Sequence, residues 1–277
     1  MRRQLITGIL ASSVLGLPTM QVNAQKILNL RGRAASEWFS DPKLAELANA
    51  AATGNVALID KLAKDGVPID GLSSHGEVTP LVFALAIENY AGAKRLLELG
   101  ANPNRRIAID QNKGSLFAFV VMSNNSTLTE LMLQFKANPN VVDGADTPLM
   151  IAVRHRPSLE VLLKYGAKVN YDDGYGRTAA TTAAALGELD SVKLFLDAGL
   201  NVELDSLALT LQGRRYREDL EPRRLELLDI LKAKGAKIRF SKDNLNTTQV
   251  THPEYTQEEA DAVKAQRASR RKERGIP

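Results

Sequence analysis

The stretch Thr147-Pro148-Leu149-Met150-Ile151-Ala152-Val153, continued by Leu159-Glu160-Val161-Leu162-Leu163-Lys164-Tyr165-Gly166-Ala167-Lys168-Val169-Asn170, decides how the whole chain is read. It holds a helix start, an apolar face at Leu149, Ala152 and Val153, a turn, and a second apolar run at Leu159, Leu162 and Leu163. These positions recur at the 3.6-residue period of a helix. Gly166 then supplies the left-handed backbone at which helices commonly stop. Partial copies flank the stretch, with Thr79-Pro80-Leu81 and Leu99-Gly100-Ala101-Asn102 upstream and Thr178-Ala179-Ala180 and Ala198-Gly199-Leu200-Asn201 downstream.

The stops set the register. They fall at Gly66, Gly100, Lys136, Gly166, Gly199 and Gly235, at intervals of 34, 36, 30, 33 and 36 residues. Lys136 departs from the glycine rule, yet Ala137-Asn138-Pro139-Asn140 repeats Ala101-Asn102-Pro103-Asn104. A period near 33 predicts a stack of helix pairs, each too poor in core to fold alone and each covered by its neighbours. Asp41-Pro42 opens the first unit, since Asp caps helices well and Pro suits the first helical position. The sixth unit begins near Ser206, and the polar insertion Gly213 to Asp219 is read as a solvated charged loop between its helices. Trp38 and Phe39 are expected to cover the exposed end of the first unit.

These residues resemble the ankyrin repeat, from about Asp41 to Asp243. The resemblance implies an all-α solenoid of about six helix-turn-helix units. The family pattern opens its first helix with Thr-Pro-Leu-His and follows the second with Gly-Ala-Asp-Val-Asn. Here Val82 and Met150 stand where the histidine would be. The resemblance therefore implies that one hydrogen-bond link between neighbouring turns is missing. Members serve as binding scaffolds, with the turns between units projecting as fingers beside the first helices on a concave face. The fingers are then Arg105 to Gly114, Val141 to Asp146, Tyr171 to Arg177, and Glu203 to Ser206. Tyrosine and arginine are frequent interface anchors, because each buries much area and keeps a polar end. The expected partner-binding residues are Tyr171, Tyr175 and Arg177, with Arg105, Arg106 and Arg154 beside them. Gly174 and Gly176 are read as turn-builders.

The ends carry different messages. Arg2 and Arg3, the apolar run Leu5 to Leu17 and the small residues of Val22-Asn23-Ala24 form the three-part pattern of a secretory signal peptide covering residues 1–24, with Gln25 the first mature residue. An uncleaved anchor is the alternative, but 13 residues are few for a bilayer. The periplasm of a bacterium is the expected address. A eukaryotic secreted protein is the second reading, in which Asn125-Ser126-Thr127 and Asn246-Thr247-Thr248 would accept glycans. Residues 25–40 are an N-terminal lead, 41–243 the repeats and 244–277 a basic tail. Thr256-Gln257-Glu258-Glu259 reads as a capping box. The helix behind it has so thin an apolar stripe that a frayed, solvated helix is expected, with contact to an acidic partner or to lipid headgroups as the alternative.

The composition narrows function further. No cysteine is present, so packing must stabilise an exported chain without disulfides, and a lipid-anchoring cysteine is missing. A net charge of +4, falling by two with the predicted cleavage, does not argue for nucleic acid. The three histidines, His75, His155 and His252, lie in separate segments and show no zinc-ligand spacing. Ser73, Ser74 and His75 sit in a turn with no strand leading in, and Asp172-Asp173 is an ordinary acidic loop pair. No enzyme activity, metal or cofactor is expected. A monomer that binds another protein is expected, either inhibiting an envelope-acting toxin or lipase-type hydrolase, in the manner of an immunity protein of a type VI secretion phospholipase toxin, or organising another envelope protein as a scaffold.

Overall fold

The computed structural model describes residues 34–74, 78–109, 112–238 and 257–273. The signal-peptide segment, His75, Asp110, Gln111, Asn246, His252 and Thr256 lie outside them. A short α1 (Ala35–Trp38) leads into six helix pairs among the described residues. They are α2 (Pro42–Thr53) with α3 (Val56–Lys64), α4 (Pro80–Ala86) with α5 (Tyr90–Glu98), α6 (Leu116–Met122) with α7 (Ser126–Gln134), α8 (Pro148–Ile151) with α9 (Arg156–Lys164), α10 (Ala179–Leu186) with α11 (Leu189–Asp197), and α12 (Leu204–Gly213) with α13 (Glu221–Ala233). A last helix, α14, spans Gln257–Glu273.

The starts follow from hydrogen-bond chemistry. Asp41, Thr79, Ser115, Thr147 and Thr178 each accept a backbone N–H from the first turn of their helix. Asn55, Asn89 and Asn125 do the same for second helices. Each cap satisfies donors that the helix cannot pair within itself. The six stops hold positive φ as expected, and Lys136 does so at +67° despite its side chain. First helices lie against first helices, and second against second, so one apolar core runs from Phe39 through Leu96, Phe117, Leu162 and Phe195 to Leu231. Trp38 and Phe39 are buried over the first unit, Phe39 meeting Phe83 edge-on at 6.3 Å.

A ladder of asparagine side chains links neighbouring turns along the finger side. Asn104 donates its side-chain N–H to the Lys136 carbonyl (2.8 Å) and accepts the Asn138 N–H (2.7 Å). Asn140 repeats this with Gly166 and Lys168, and Asn170 with Gly199 and Asn201. At the two outer joints Asp70 accepts from Asn102, and Asp205 from Lys237. Asn140→Ala should remove two such bonds and lower stability by about 1–3 kcal/mol, at a net of about 0.5–1.5 each. Urea titration followed by circular dichroism checks this, and an unchanged midpoint would show that the ladder is ornamental.

Within the first long finger β1 (Arg106–Ile109) pairs antiparallel with β2 (Asn112–Ser115), so the described residues of the helical array include a small hairpin. One expectation needs correcting: the insertion after α12 is not fully solvated. Tyr216 is buried and donates its hydroxyl to the Ala184 carbonyl at 2.9 Å. Burial pushes the Tyr216 phenol up to about 12 from 10.0. A raised folded-state value means that its contribution is intact below pH 10.0 and lost as pH rises toward about 12. Titration of absorbance near 295 nm should therefore show a late tyrosine step that is missing in Tyr216→Phe.

Candidate functional site

The predicted anchors occupy three different settings. Tyr175 stands at the tip of its finger, 60% exposed, held by an Asp173 carboxylate that accepts the backbone N–H groups of Tyr175 (2.8 Å) and Arg177 (3.0 Å). Tyr171 instead packs on the core and is only partly exposed. Arg177 is turned back into the protein. Its guanidinium reaches Asp146 at 2.7 Å, Asp173 at 3.2 Å and the Ala145 carbonyl at 2.6 Å, so it joins two fingers. Burial works against that charge, but the two carboxylates more than offset it and leave its pKa above the ordinary arginine value.

The remaining arginines are dispersed. Arg106 lies on β1 and pairs with Asp143 of the next finger at 2.9 Å. Arg105 precedes β1 and its Nε is buried. Arg154 follows α8, whereas the finger precedes that helix, so it belongs to the opposite edge of the array. There it faces Glu188, in the next unit's inter-helix turn, at 3.7 Å. Arg154 therefore does not stand beside Tyr171 and Tyr175. Ser73 accepts the Val78 N–H and Ser74 donates to the Trp38 carbonyl, so both are engaged in the turn.

The larger correction concerns the tail. α14 is not solvated on all sides: it lies across the 171–177 finger and the start of α12. Arg270 Nη1 bonds Glu203 Oε1 at 2.9 Å and Asp172 Oδ2 at 3.3 Å. Arg267 Nη2 bonds Glu203 Oε2 at 3.1 Å and Ser206 Oγ at 2.9 Å. The Arg271 guanidinium sits 4.7 Å over the Tyr175 ring, an attractive cation–π geometry. Both finger glycines carry positive φ, and the side chains of Arg271 and Arg267 lie where a β-carbon of Gly174 or Gly176 would be. These glycines build the turn and also let the helix approach. Ala185 and Leu186 of α10, Leu209 of α12 and Val263 of α14 line the cleft between them.

Residues 117–206 match the family described as ankyrin repeats, in three copies. A protein of Dasypus novemcinctus named "Ankyrin repeat, SAM and basic leucine zipper domain-containing protein 1" is 32% identical over 124 residues, covering 42% of this chain and 25% of that protein. This chain thus spans about a quarter of that relative's length. An ankyrin repeat domain from Acinetobacter baumannii AYE superposes with a TM-score of 0.55 at 25% identity, over 69% of this chain and 98% of the other. The ankyrin repeat domain of Bcl-3 superposes with a TM-score of 0.56 at 21% identity, over 73% and 90%. The fold is the ankyrin-repeat solenoid. No helix among the described residues is long and apolar enough to cross a membrane.

Proposed function

We propose that this array of ankyrin repeats is a protein-binding module of the bacterial envelope, exported by residues 1–24, that occludes an envelope-acting toxin or hydrolase. The observation that carries the binding surface is Tyr175, an aromatic residue left 60% exposed at a finger tip whose backbone N–H is held by the Asp173 carboxylate. Leu72 and Val142 are likewise exposed on other turns, so apolar tips recur along one side of the array. A row of such tips suits the roughly 1,200–2,000 Å² that specific complexes bury. The address rests on the Arg2-Arg3 start, the short apolar run and the small residues before Gln25.

Three measurements test the reading. N-terminal sequencing of an osmotic-shock fraction should begin at Gln25. Cells that make a toxin encoded beside this protein should survive when it is co-produced. Calorimetry with the captured partner should show Tyr175→Ala weakening binding by about 1–4 kcal/mol with an unchanged melting curve. Arg177→Ala should instead lower the melting temperature, because it unties two fingers. Equal binding by Tyr175→Ala and wild type would remove this surface. Absence of protection would remove the inhibitor and leave the scaffold.

A further inference from the structure

We propose that the cleft between the 171–177 finger and α12 is a receptor for a helix bearing arginines at positions i, i+3 and i+4, and that the chain's own C-terminal helix keeps it closed. The inference rests on the protein-binding reading above and names what that face recognises. Its motive is the setting of two carboxylates. Asp172 is 0% and Glu203 5% exposed in their side chains, and both take an arginine from α14. Ion pairs with charged hydrogen bonds are among the stronger polar contacts, and a buried carboxylate left without its cation is costly. Glu203 also holds a left-handed φ of +53°, unusual for a residue with a side chain, and its Oε2 accepts the Ser206 hydroxyl at 2.6 Å. Strain of this kind persists where surrounding structure holds it, and clusters at ligand clamps.

The ligand's pattern can be read from its present occupant. Arg267, Arg270 and Arg271 share one face of α14, because residues three and four apart are neighbours on a helix. Two of them enter the carboxylate pair and the third covers Tyr175. Val263, one turn earlier, lines the same cleft as Ala185, Leu186 and Leu209. The cleft thus selects an apolar residue followed by arginines at +4, +7 and +8. Little in α14 beyond this face would hold it, since its apolar content is otherwise alanine. A partner helix with the same face must displace it, and the side of the Tyr175 ring that Arg271 now covers is freed only then.

The test uses the full chain and, as probe, a fluorescein-labelled peptide of residues 257–273. Arg267→Ala/Arg270→Ala in the chain should open the cleft and bind the peptide at least tenfold more tightly than wild type does. Adding Glu203→Gln to that opened chain should reduce binding at least tenfold, as should the same two arginine-to-alanine changes in the peptide. Amide exchange in residues 257–273 should be faster in the opened chain, while the melting curve of the repeats stays in place. Equal peptide binding by opened and wild-type chains, or equal binding of the arginine-free peptide, overturns the proposal. A wild-type dimer that falls apart on Arg267→Ala/Arg270→Ala also overturns self-closure, since the helix would then fill a neighbour's cleft. A partner that binds wild type and the opened chain alike overturns it while leaving the protein-binding reading intact. Tight peptide binding in cells that show no toxin protection upholds the cleft and removes only the inhibitor.

Discussion

Phe195→Ala should lower the stability of the protein by about 3–5 kcal/mol, the range for emptying a fully buried aromatic site. Phe195 is fully buried in α11, and no rearrangement of alanine-rich α10 can fill the space it leaves. The total stability of a domain is usually about 5–15 kcal/mol, so this is a large share. In a stack whose units touch only their neighbours, the loss is also local. The fifth and sixth units should melt ahead of the first four, and α14 should lose its amide protection with them, because Asp172 and Glu203 belong to that end. Leu47→Ala, equally buried in α2, should destabilise the opposite end and leave α14 protected. Urea titration with hydrogen exchange read unit by unit distinguishes these patterns. A single cooperative loss across all units in both variants would contradict the modular stack.

Gly92→Ala should also destabilise, although helix propensity alone predicts the reverse. Alanine in a helix interior is favoured over glycine by about 1 kcal/mol. At Gly92, however, a β-carbon would stand 1.9 Å from the Ala51 carbonyl oxygen and 2.9 Å from its α-carbon. The obstacle is backbone, which cannot rotate aside as a side chain can. α5 must move away from α2, and overpacking of this kind costs about 1–3 kcal/mol or more. The clash therefore outweighs the propensity, and thermal melts should show a lower midpoint. A raised midpoint would mean that the two helices are not held so closely.

The repeat period made most of the fold legible, because helix caps, apolar faces and stop residues are local signals that recur. Even Lys136 was placed by its neighbours Ala137 to Asn140. The β1–β2 hairpin was not legible, since four-residue strands are too short for alternation to stand out. Arg177 carried no sign of whether it would point outward or back, and the structure turns it onto Asp146, 31 residues away. The docking of α14 escaped for a related reason. Its apolar stripe is thin, and what holds it are carboxylates 67 and 98 residues distant from Arg270. Tyr216 was hidden inside a polar insertion, where only its aromatic ring hinted at burial. The repeated asparagines were visible as a pattern, but their bonding partners were not.

The asparagine ladder also bears on how such a chain can lengthen. Each inner joint uses an amide that both donates and accepts, whereas Asp70 and Asp205 at the outer joints only accept. A duplicated internal unit, from one stop to the next, would bring the same amide and meet the same carbonyl and N–H on either side. It could be inserted without redesigning its neighbours. A unit inserted at either aspartate joint would meet an acceptor without the donor that the inner joints supply. Growth by tandem duplication is thus easiest in the middle of the array.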